Sequence, residues 1–204
     1  MVSAPTQQGF TLVEMIVSLT LFSVVITITV GALLSLIGSN DQLRNQQSVM
    51  TNLAFALDSM TREIRTGSYY YCGNNLSDFT AQESLATSTR DCLNASGNPV
   101  GSIGLSFIEG GNSVTGSGIA RIAYFFENNQ IWRQVGNRSA QSMTADGIYI
   151  ADMQVWVTGS RTLSAGGLGS VRQPTVTIFI DARDSATGQP NYVQTTITQR
   201  ALDL

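Results

Sequence analysis

The N-terminal part of the chain contains one long run of apolar side chains. From Phe10 to Gly38 the only charged residue is Glu14. As a helix, the uncharged part Met15–Gly38 would be about 36 Å long, enough to cross a hydrocarbon core of about 30 Å. A lone strand in lipid would leave its backbone groups unpaired, so the β-branched stretch Val24–Val30 is also predicted to be helical. The pattern therefore predicts a membrane-spanning helix over residues 10–38.

Helical spacing continues beyond this run, but on one face only. The apolar positions recur at steps of three, four and seven residues, at Leu43, Met50, Leu53, Leu57, Met60 and Ile64. Asp58 and Arg62, four residues apart, are predicted to pair on the solvent side, and Gly67 is a plausible end of the helix. Residues 39–67 are therefore predicted to form an amphipathic continuation that covers a core.

From Ile103 onward the apolar residues alternate with polar ones. Strands are predicted around residues 103–107, 119–126, 131–135, 153–158, 176–180 and 192–200. Asn128-Asn129 suits a hairpin turn that requires positive φ. These strands are expected to form an antiparallel sheet with the helical stripe on one face. The predicted fold class is α+β, a long N-terminal helix packed on an antiparallel sheet domain.

Residues 68–102 are rich in Ser, Thr, Asn and Gly, and they are predicted to be a loop bracketed by Cys72 and Cys92. A bridge between the two cysteines would close a loop of about 20 residues and stabilise the fold by roughly 3 kcal/mol. It would also indicate an oxidising compartment outside the cytoplasm. Two free thiols are the alternative. Tyr69-Tyr70-Tyr71, beside the first cysteine, is expected to pack onto the helix end rather than form an exposed contact surface.

Composition narrows the possible chemistry. The chain has no His and no Lys, so its 11 positive side chains are all Arg, and its net charge is −3. These features disfavour an enzyme, a metal site and nucleic-acid binding, although a folded patch of Arg stays open. Asp181 and Asp184 are the candidate acid pair, interpreted as solvated turn residues. The Gly-rich segment Ser164–Gly169 is interpreted as a connection, and no cofactor is expected.

Glu14 requires an explanation of its own. A cleavable secretory signal fits poorly, because the first nine residues carry no basic side chain and the apolar run is too long. The carboxylate could reach the headgroups, or it could pair with a cation in an assembly. No Lys or Arg lies nearby in the sequence. If the chain were cut after Gly9, the α-amine of Phe10 would supply that cation, most easily to Glu14 of a neighbouring subunit.

The residues Gly9-Phe10-Thr11-Leu12-Val13-Glu14 resemble the processing motif of type IV prepilins. The resemblance implies cleavage after Gly9 by a prepilin peptidase and N-methylation of Phe10. Leu57–Gly67, the Tyr124–Arg133 hairpin and the closing Thr195–Arg200 resemble PilW-like minor pilins and J-type secretion pseudopilins. The chain departs from the family in its leader, which is not basic, and at Gly31, where many major pilins have Pro.

This resemblance implies a structural minor pilin or pseudopilin, at the initiation or tip complex of a type IV pilus or a similar filament. The alternatives are a type II secretion or DNA-uptake pseudopilin, and an uncleaved membrane-anchored adhesin or receptor. The implied partners are other pilin subunits, the prepilin peptidase, the inner-membrane assembly platform and, before assembly, membrane lipid. The implied location is the bacterial inner membrane, with the C-terminal domain outside the cytoplasm. The expected segments are a leader at 1–9, a transmembrane or filament-core helix at 10–38, an amphipathic helix at 39–67, a disulfide-bracketed loop at 68–102 and a β-sheet region at 103–204.

Overall fold

A computed structural model describes residues 9–80, 85, 87–110, 121–145, 147–160, 173–184 and 188–200. Two compact units divide the chain, Met1–Arg44 and Asn45–Leu204. A helix of 55 residues, α1, comes first, and eight strands and one short helix follow it among the described residues. The α+β class predicted from the sequence is confirmed. The Gly-rich segment Ser164–Gly169 and residues 119–120 of the predicted strand lie outside the described residues.

The long helix α1 extends over Leu12–Thr66, as the two successive hydrophobic patterns predict. It ends where expected, because the Gly67 amide donates to the Ile64 carbonyl at 3.1 Å and closes a tight last turn. A Cβ atom at Gly67 would overlap the ring of Phe107. Glycine therefore ends the helix here because the sheet approaches its backbone closely.

The buried face of α1 differs in part from the predicted stripe. Its buried residues are Val49, Leu53, Ala56, Met60 and Ile64. Leu57 is half-buried against the core, but Leu43 and Met50 are 55% and 44% exposed, so their assignment to the stripe was wrong. At about 100° per residue, these two lie some 80–100° from the centre of the buried face. The predicted stripe included only large apolar side chains, at steps of seven and three residues from Leu43, and it left out the small Ala56.

Five strands form the first sheet in the order β1-β2-β3-β4-β5, with antiparallel neighbours throughout. The strands are β1 Ser68–Gly73, β2 Gly104–Ile108, β3 Arg121–Glu127, β4 Gln130–Val135 and β5 Gln141–Ser142. The turn between β3 and β4 has φ values of 50° at Asn128 and 61° at Asn129. These values confirm the hairpin predicted from the two asparagines, which tolerate the left-handed region better than most residues.

Three strands form a second antiparallel sheet, in the order β6-β7-β8. They are β6 Ile148–Thr158, β7 Thr175–Asp184 and β8 Pro190–Thr198. The sequence suggested one sheet, and the presence of two corrects that expectation. Ser102 and Val155 exchange two backbone hydrogen bonds of 2.9 Å, and Asn129 accepts one from the Ile150 amide at 3.0 Å. Strand β6 therefore connects the second sheet to the segments around the first.

The region 68–102 is not a loop throughout, which corrects the expectation for that segment. Its first six residues form β1, and a single helical turn, α2, follows at Ser77–Thr80. Tyr70 of β1 is buried, and its hydroxyl donates to the carbonyls of Ile64 and Gly67 at 2.5 and 2.9 Å. Of the three tyrosines, Tyr70 therefore packs onto the end of α1, as the sequence analysis expected, whereas the ring of Tyr71 lies against Arg90.

One hydrophobic core joins α1 to both sheets. Its members include Leu53 and Met60 of the helix, Phe107 of the first sheet, and Val155 and Ile178 of the second. A smaller cluster of Phe79, Ala123 and Phe125 lies beside it, and its two phenylalanine rings stack with centroids 5.2 Å apart. The amphipathic part of α1 therefore has the core-covering role that its pattern predicted.

Candidate functional site

The segment predicted to be processed lies immediately before the first turn of α1. Gly9 and Phe10 are outside the helix, which starts at Leu12. Thr11 caps the helix: its hydroxyl accepts from the Glu14 amide, and its carbonyl accepts from the Met15 amide, both at 3.3 Å. The peptide bond between Gly9 and Phe10 is therefore free of the helical hydrogen-bond ladder and sits two residues before it.

Glu14 occupies the first turn of α1, where the partial positive charge of the helix N-terminus favours a carboxylate. Its side chain is exposed. Within the described part of the chain, the carboxylate forms no ion pair. The local structure thus presents the carboxylate to the surroundings. The pairing of Glu14 with an amine on a neighbouring subunit stays a prediction, since one chain holds no neighbour.

The surface of α1 that follows is apolar on all sides. From Phe10 to Ile37, its large hydrophobic side chains are 45–78% exposed. The most hydrophobic window of 18 residues in α1 has a mean hydropathy of 2.3 and no buried residue. An apolar surface of this extent requires lipid or other apolar helices around it. The helix is long and apolar enough to cross a membrane, which fits a single-pass anchor.

The hydroxyl side chains within this apolar run bond to their own helix. Thr20, Thr27 and Thr29 donate to the carbonyls of Val17, Ser23 and Val25, each at 2.8 Å. These bonds satisfy the hydroxyl donors without water, which is the condition for placing such groups in lipid or between packed helices. The polar residues therefore do not prevent the segment from being buried in an apolar environment.

Cys72 and Cys92 form a disulfide, with their Cα atoms 5.3 Å apart. Cys72 belongs to β1 of the first sheet, whereas the Cys92 amide donates to the Val157 carbonyl of β6 at 2.9 Å. Asp91, the preceding residue, accepts from the amide and hydroxyl of Ser160 at 2.8 and 2.6 Å. The disulfide thus links the first sheet covalently to a segment that is hydrogen-bonded to β6 of the second sheet.

Arg90 holds the chain leading into the disulfide. Its Nε donates to the Cys72 carbonyl at 2.7 Å, and its Nη2 donates to Asp78 of α2 at 3.0 Å. The guanidinium also lies 4.4 Å from the centre of the Tyr71 ring. Asp78 in turn accepts from the Asn74 amide at 2.9 Å. One arginine therefore fixes β1, α2 and the segment before Cys92, and nothing in the sequence pattern identified it.

A charged cluster fastens α1 to the β3–β4 hairpin. Glu63 of α1 accepts two hydrogen bonds from Arg133, at 2.9 and 3.1 Å, and one from the Tyr124 hydroxyl at 2.5 Å. Burial, together with the hydrogen bond and negative charge of Glu63, raises the pKa of Tyr124. Burial alone would lower the pKa of Arg133, but Glu63 outweighs it and raises that pKa. These partners are 61 and 70 residues apart in sequence, so local spacing could not reveal the cluster.

Arg121 is fully buried in β3. Its Nη2 donates to the Tyr69 carbonyl at 2.7 Å and to the Ser106 carbonyl at 3.2 Å. Burial lowers its pKa to about 10, while the neighbouring Tyr71 acts in the opposite direction. Tyr69 has a φ of 53°, and it lies where the register of β1 shifts. The arginine therefore holds an irregular part of an edge strand, which is a structural role.

Only one member of the candidate acid pair, Asp181, has a described side chain. Asp181 is buried within β7 and pairs with Arg183 at 2.8 Å, so its interpretation as a solvated turn residue was wrong. The side chain of Asp184 lies outside the described residues. Among the described residues, no group of three or more His, Cys, Asp or Glu side chains could hold a metal ion. Arg90, Arg121 and Arg133 instead have partners that hold elements of the fold together.

Comparison with known proteins identifies the N-terminal segment. Residues 5–30 match the family described as the prokaryotic N-terminal methylation motif. That match covers the predicted cleavage point, Glu14 and the apolar run as far as Val30. No curated protein and no solved structure matches the chain. The motif family is structural rather than enzymatic.

Proposed function

We propose that this type IV pilin-like chain, with its methylation motif at residues 5–30, is a processed structural subunit of a filament. The observation that carries the proposal is the order of features at the N-terminus. A non-helical Gly9-Phe10 junction precedes a capped helix with an exposed carboxylate. The apolar surface of that helix is not covered by any described part of the chain. Such a surface suits lipid in one state and packed helices in another.

The proposed processing step is hydrolysis of the Gly9–Phe10 peptide bond by a prepilin peptidase. One water molecule is consumed, Gly9 becomes a carboxylate terminus, and Phe10 gains a free α-amine. One N–H of that amine is then replaced by N–CH3, with the methyl group supplied by a sulfonium methyl donor. The methylated amine stays protonated at neutral pH, so it remains a cation four residues before Glu14.

The apolar surface explains both the storage and the assembly of the subunit. In the inner membrane, lipid covers the exposed side chains of α1, with the C-terminal domain outside the cytoplasm. In the filament, equivalent helices of other pilin subunits cover them, and the assembly platform moves the subunit from one environment to the other. The amine of Phe10 and Glu14 of a neighbour set the axial stagger, because an unpaired charge in an apolar bundle is costly.

The globular part fits a minor subunit of the PilW-like or J-type kind, at the initiation or tip complex. Its sequence resemblance at Leu57–Gly67, in the Tyr124–Arg133 hairpin and at Thr195–Arg200 supports this assignment. A type II secretion or DNA-uptake pseudopilin would have the same N-terminus and the same processing. Pull-down of partner subunits from the host separates these systems, because each assembles with its own set of pilins.

Mass spectrometry of the protein from its native host tests the proposal. We expect a chain that begins at Phe10, is one methyl group heavier than the unmodified sequence and occurs in sheared filaments. The Gly9→Val variant should retain its leader and stay in the membrane, because the side chain blocks access of the peptidase. A native chain that retains Met1 would overturn the proposal in favour of an uncleaved anchored adhesin or receptor.

A further inference from the structure

The last strand, β8, lies at the edge of the second sheet. It pairs with β7 over all nine of its residues, from Pro190 opposite Arg183 to Thr198 opposite Thr175, without a bulge. Among the strands that the structure describes, none pairs with the other edge of β8. This strand therefore presents a long and regular row of backbone groups to its surroundings.

The backbone groups that point outward can be assigned from the ladder. The Gln199 amide donates to the Pro174 carbonyl at 3.0 Å, which makes this a hydrogen-bonded pair of the antiparallel ladder. Because such pairs alternate with non-hydrogen-bonded ones, the residue pairs at Thr198, Thr196, Gln194 and Tyr192 are non-hydrogen-bonded. Their N–H and C=O groups point away from β7. The 3.1 Å contact between the hydroxyls of Thr196 and Thr177 agrees, because side chains are closest in such pairs.

The edge lacks the features that usually prevent strand pairing. Proteins protect edge strands with charges, bulges, prolines or a covering segment. No residue of Pro190–Thr198 is charged, and the register with β7 is continuous. The one proline is the first residue, where the nitrogen points outward and no ladder bond is lost. With respect to the residues that the structure describes, the outer edge from Tyr192 to Thr198 is thus open and chemically suited to pairing.

We propose that this outer edge is a strand-addition site for an extended, uncharged segment of a different filament subunit. The side chains of β8 define the chemistry of that segment. Val193 and Ile197 pack on the core, whereas Tyr192, Gln194 and Thr196 are exposed on the other face. An added strand would place alternate residues beside these two rows, so it should alternate apolar and polar side chains.

A different subunit fits better than a second copy of this chain. Pairing of β8 with β8 of a second copy is two-fold symmetric and closes a dimer. A filament instead needs contacts that continue from one subunit to the next. This part of the inference rests on the proposed function, because only an assembled subunit requires an open contact.

Photo-crosslinking in the native host tests the inference. A benzophenone amino acid is placed in separate variants of the full chain at Tyr192, Gln194 and Thr196, and the crosslinked peptides are mapped by mass spectrometry. We expect one segment of another pilin-like subunit, with the crosslinked residue moving two positions along it for each two-residue step along β8. Tyr149, an exposed residue of β6, is the control site and should give no such stepping.

A second variant removes one outward donor. Gln194→Pro in the chain labelled at Thr196 should reduce the stepped crosslink about tenfold, since proline removes the N–H that an added strand would use. Gln194→Thr, which keeps this N–H, should leave the crosslink unchanged. Circular dichroism and the thermal midpoint of both variants establish that the domain is folded.

Three outcomes would overturn the inference. They are crosslinks to β8 of a second copy, crosslinks that stay at one partner residue from all three positions, and an absence of crosslinks in filaments that contain the labelled chain. These outcomes are distinct from failure of the proposed function. In that case the chain would retain its leader and be absent from filaments, whatever its crosslinks.

Discussion

Glu14 illustrates what single residues contribute to this protein. Its position near the start of the helix follows from the apolar run in the sequence, whereas the Thr11 cap that places it in the first turn is seen only in the structure. The charged residues of the globular part are different. Arg90, Arg121 and Arg133 act through contacts with residues distant in sequence. Sequence reasoning identified the first kind of residue and missed the second, because only the fold brings such partners together.

Replacement of Glu14 tests its assembly role. Glu14→Ala should leave membrane insertion and cleavage after Gly9 intact but remove the subunit from filaments. The Phe10 amine would then be buried without a partner, at a cost of about 3–5 kcal/mol. Immunoblots of membranes measure insertion and cleavage, and immunoblots of sheared filaments measure incorporation. Asp41→Ala, at an exposed acid of the same helix beyond the apolar run, is the matched control and should assemble normally. Normal incorporation of the Glu14 variant would refute the role.

Tyr124 gives a pH-dependent prediction. Its folded-state pKa is raised, so its contribution to stability is complete below the ordinary tyrosine pKa of about 10 and is lost as the pH rises above that value. The free energy of unfolding of the wild-type chain should therefore fall more steeply above about pH 10 than that of Tyr124→Phe, by up to about 1.4 kcal/mol per pH unit.

Urea unfolding of both full-length chains in detergent, at pH 8 and pH 11, measures this difference. Arg121 also titrates in this pH range. Because both chains contain it, its contribution cancels when their free energies of unfolding are compared. At pH 8 the variant should be less stable by about 1 kcal/mol, because it lacks the hydrogen bond to Glu63. Parallel pH profiles for the two chains would contradict the assignment.

At the scale of elements, the sequence predicted individual helices and hairpins better than the arrangement of the strands into sheets. The 3.6-residue and two-residue periods placed α1 and most strands, and Asn128-Asn129 fixed the tight turn. The period could not separate two sheets from one, since both give the same alternation along each strand. It also missed β1, because Tyr69–Tyr71 has no alternation and its register is irregular.

The disulfide is the element-scale feature with the largest expected effect. Cys72→Ala/Cys92→Ala should lower the free energy of unfolding by about 3 kcal/mol in the chain-entropy model. The bridge joins β1 to the segment bonded to β6, so its loss removes the covalent link between them and leaves the hydrogen bonds and the shared core in place. Chemical denaturation of the full chain measures the loss. The reduced wild-type chain is the control and should match the double variant, whereas an unchanged midpoint in both would contradict the prediction.

At the scale of the molecule, the chain has two parts whose surfaces require different surroundings. Residues from Phe10 to Ile37 expose apolar side chains, whereas the apolar residues of the second unit form a shared core. This division could be predicted, because it depends on composition along the chain rather than on distant contacts. The side-chain partners within the globular part could not be predicted, since no local sequence pattern identifies them.

Membrane insertion tests this division. Val25→Arg, in the middle of the apolar run, should disfavour insertion by about 2.5–3.5 kcal/mol and shift the chain out of the carbonate-resistant membrane fraction. Phe55→Arg is the matched control, at an exposed apolar side chain of the same helix outside the run. It should remain in that fraction. Equal extraction of the two variants would contradict membrane storage through residues 10–38.

The contact between the chain's last described residues and the end of α1 has a consequence for folding. The Arg200 amide donates to the Arg65 carbonyl at 2.8 Å, and the Gln199 side chain reaches the Gly67 carbonyl, 132 residues earlier. Loop closure over such a separation is among the last events of folding. Residues 199 and 200 therefore complete the packing around the end of α1 late in folding. A chain still emerging from the ribosome or a translocation channel cannot make these contacts until residues 199 and 200 have been released.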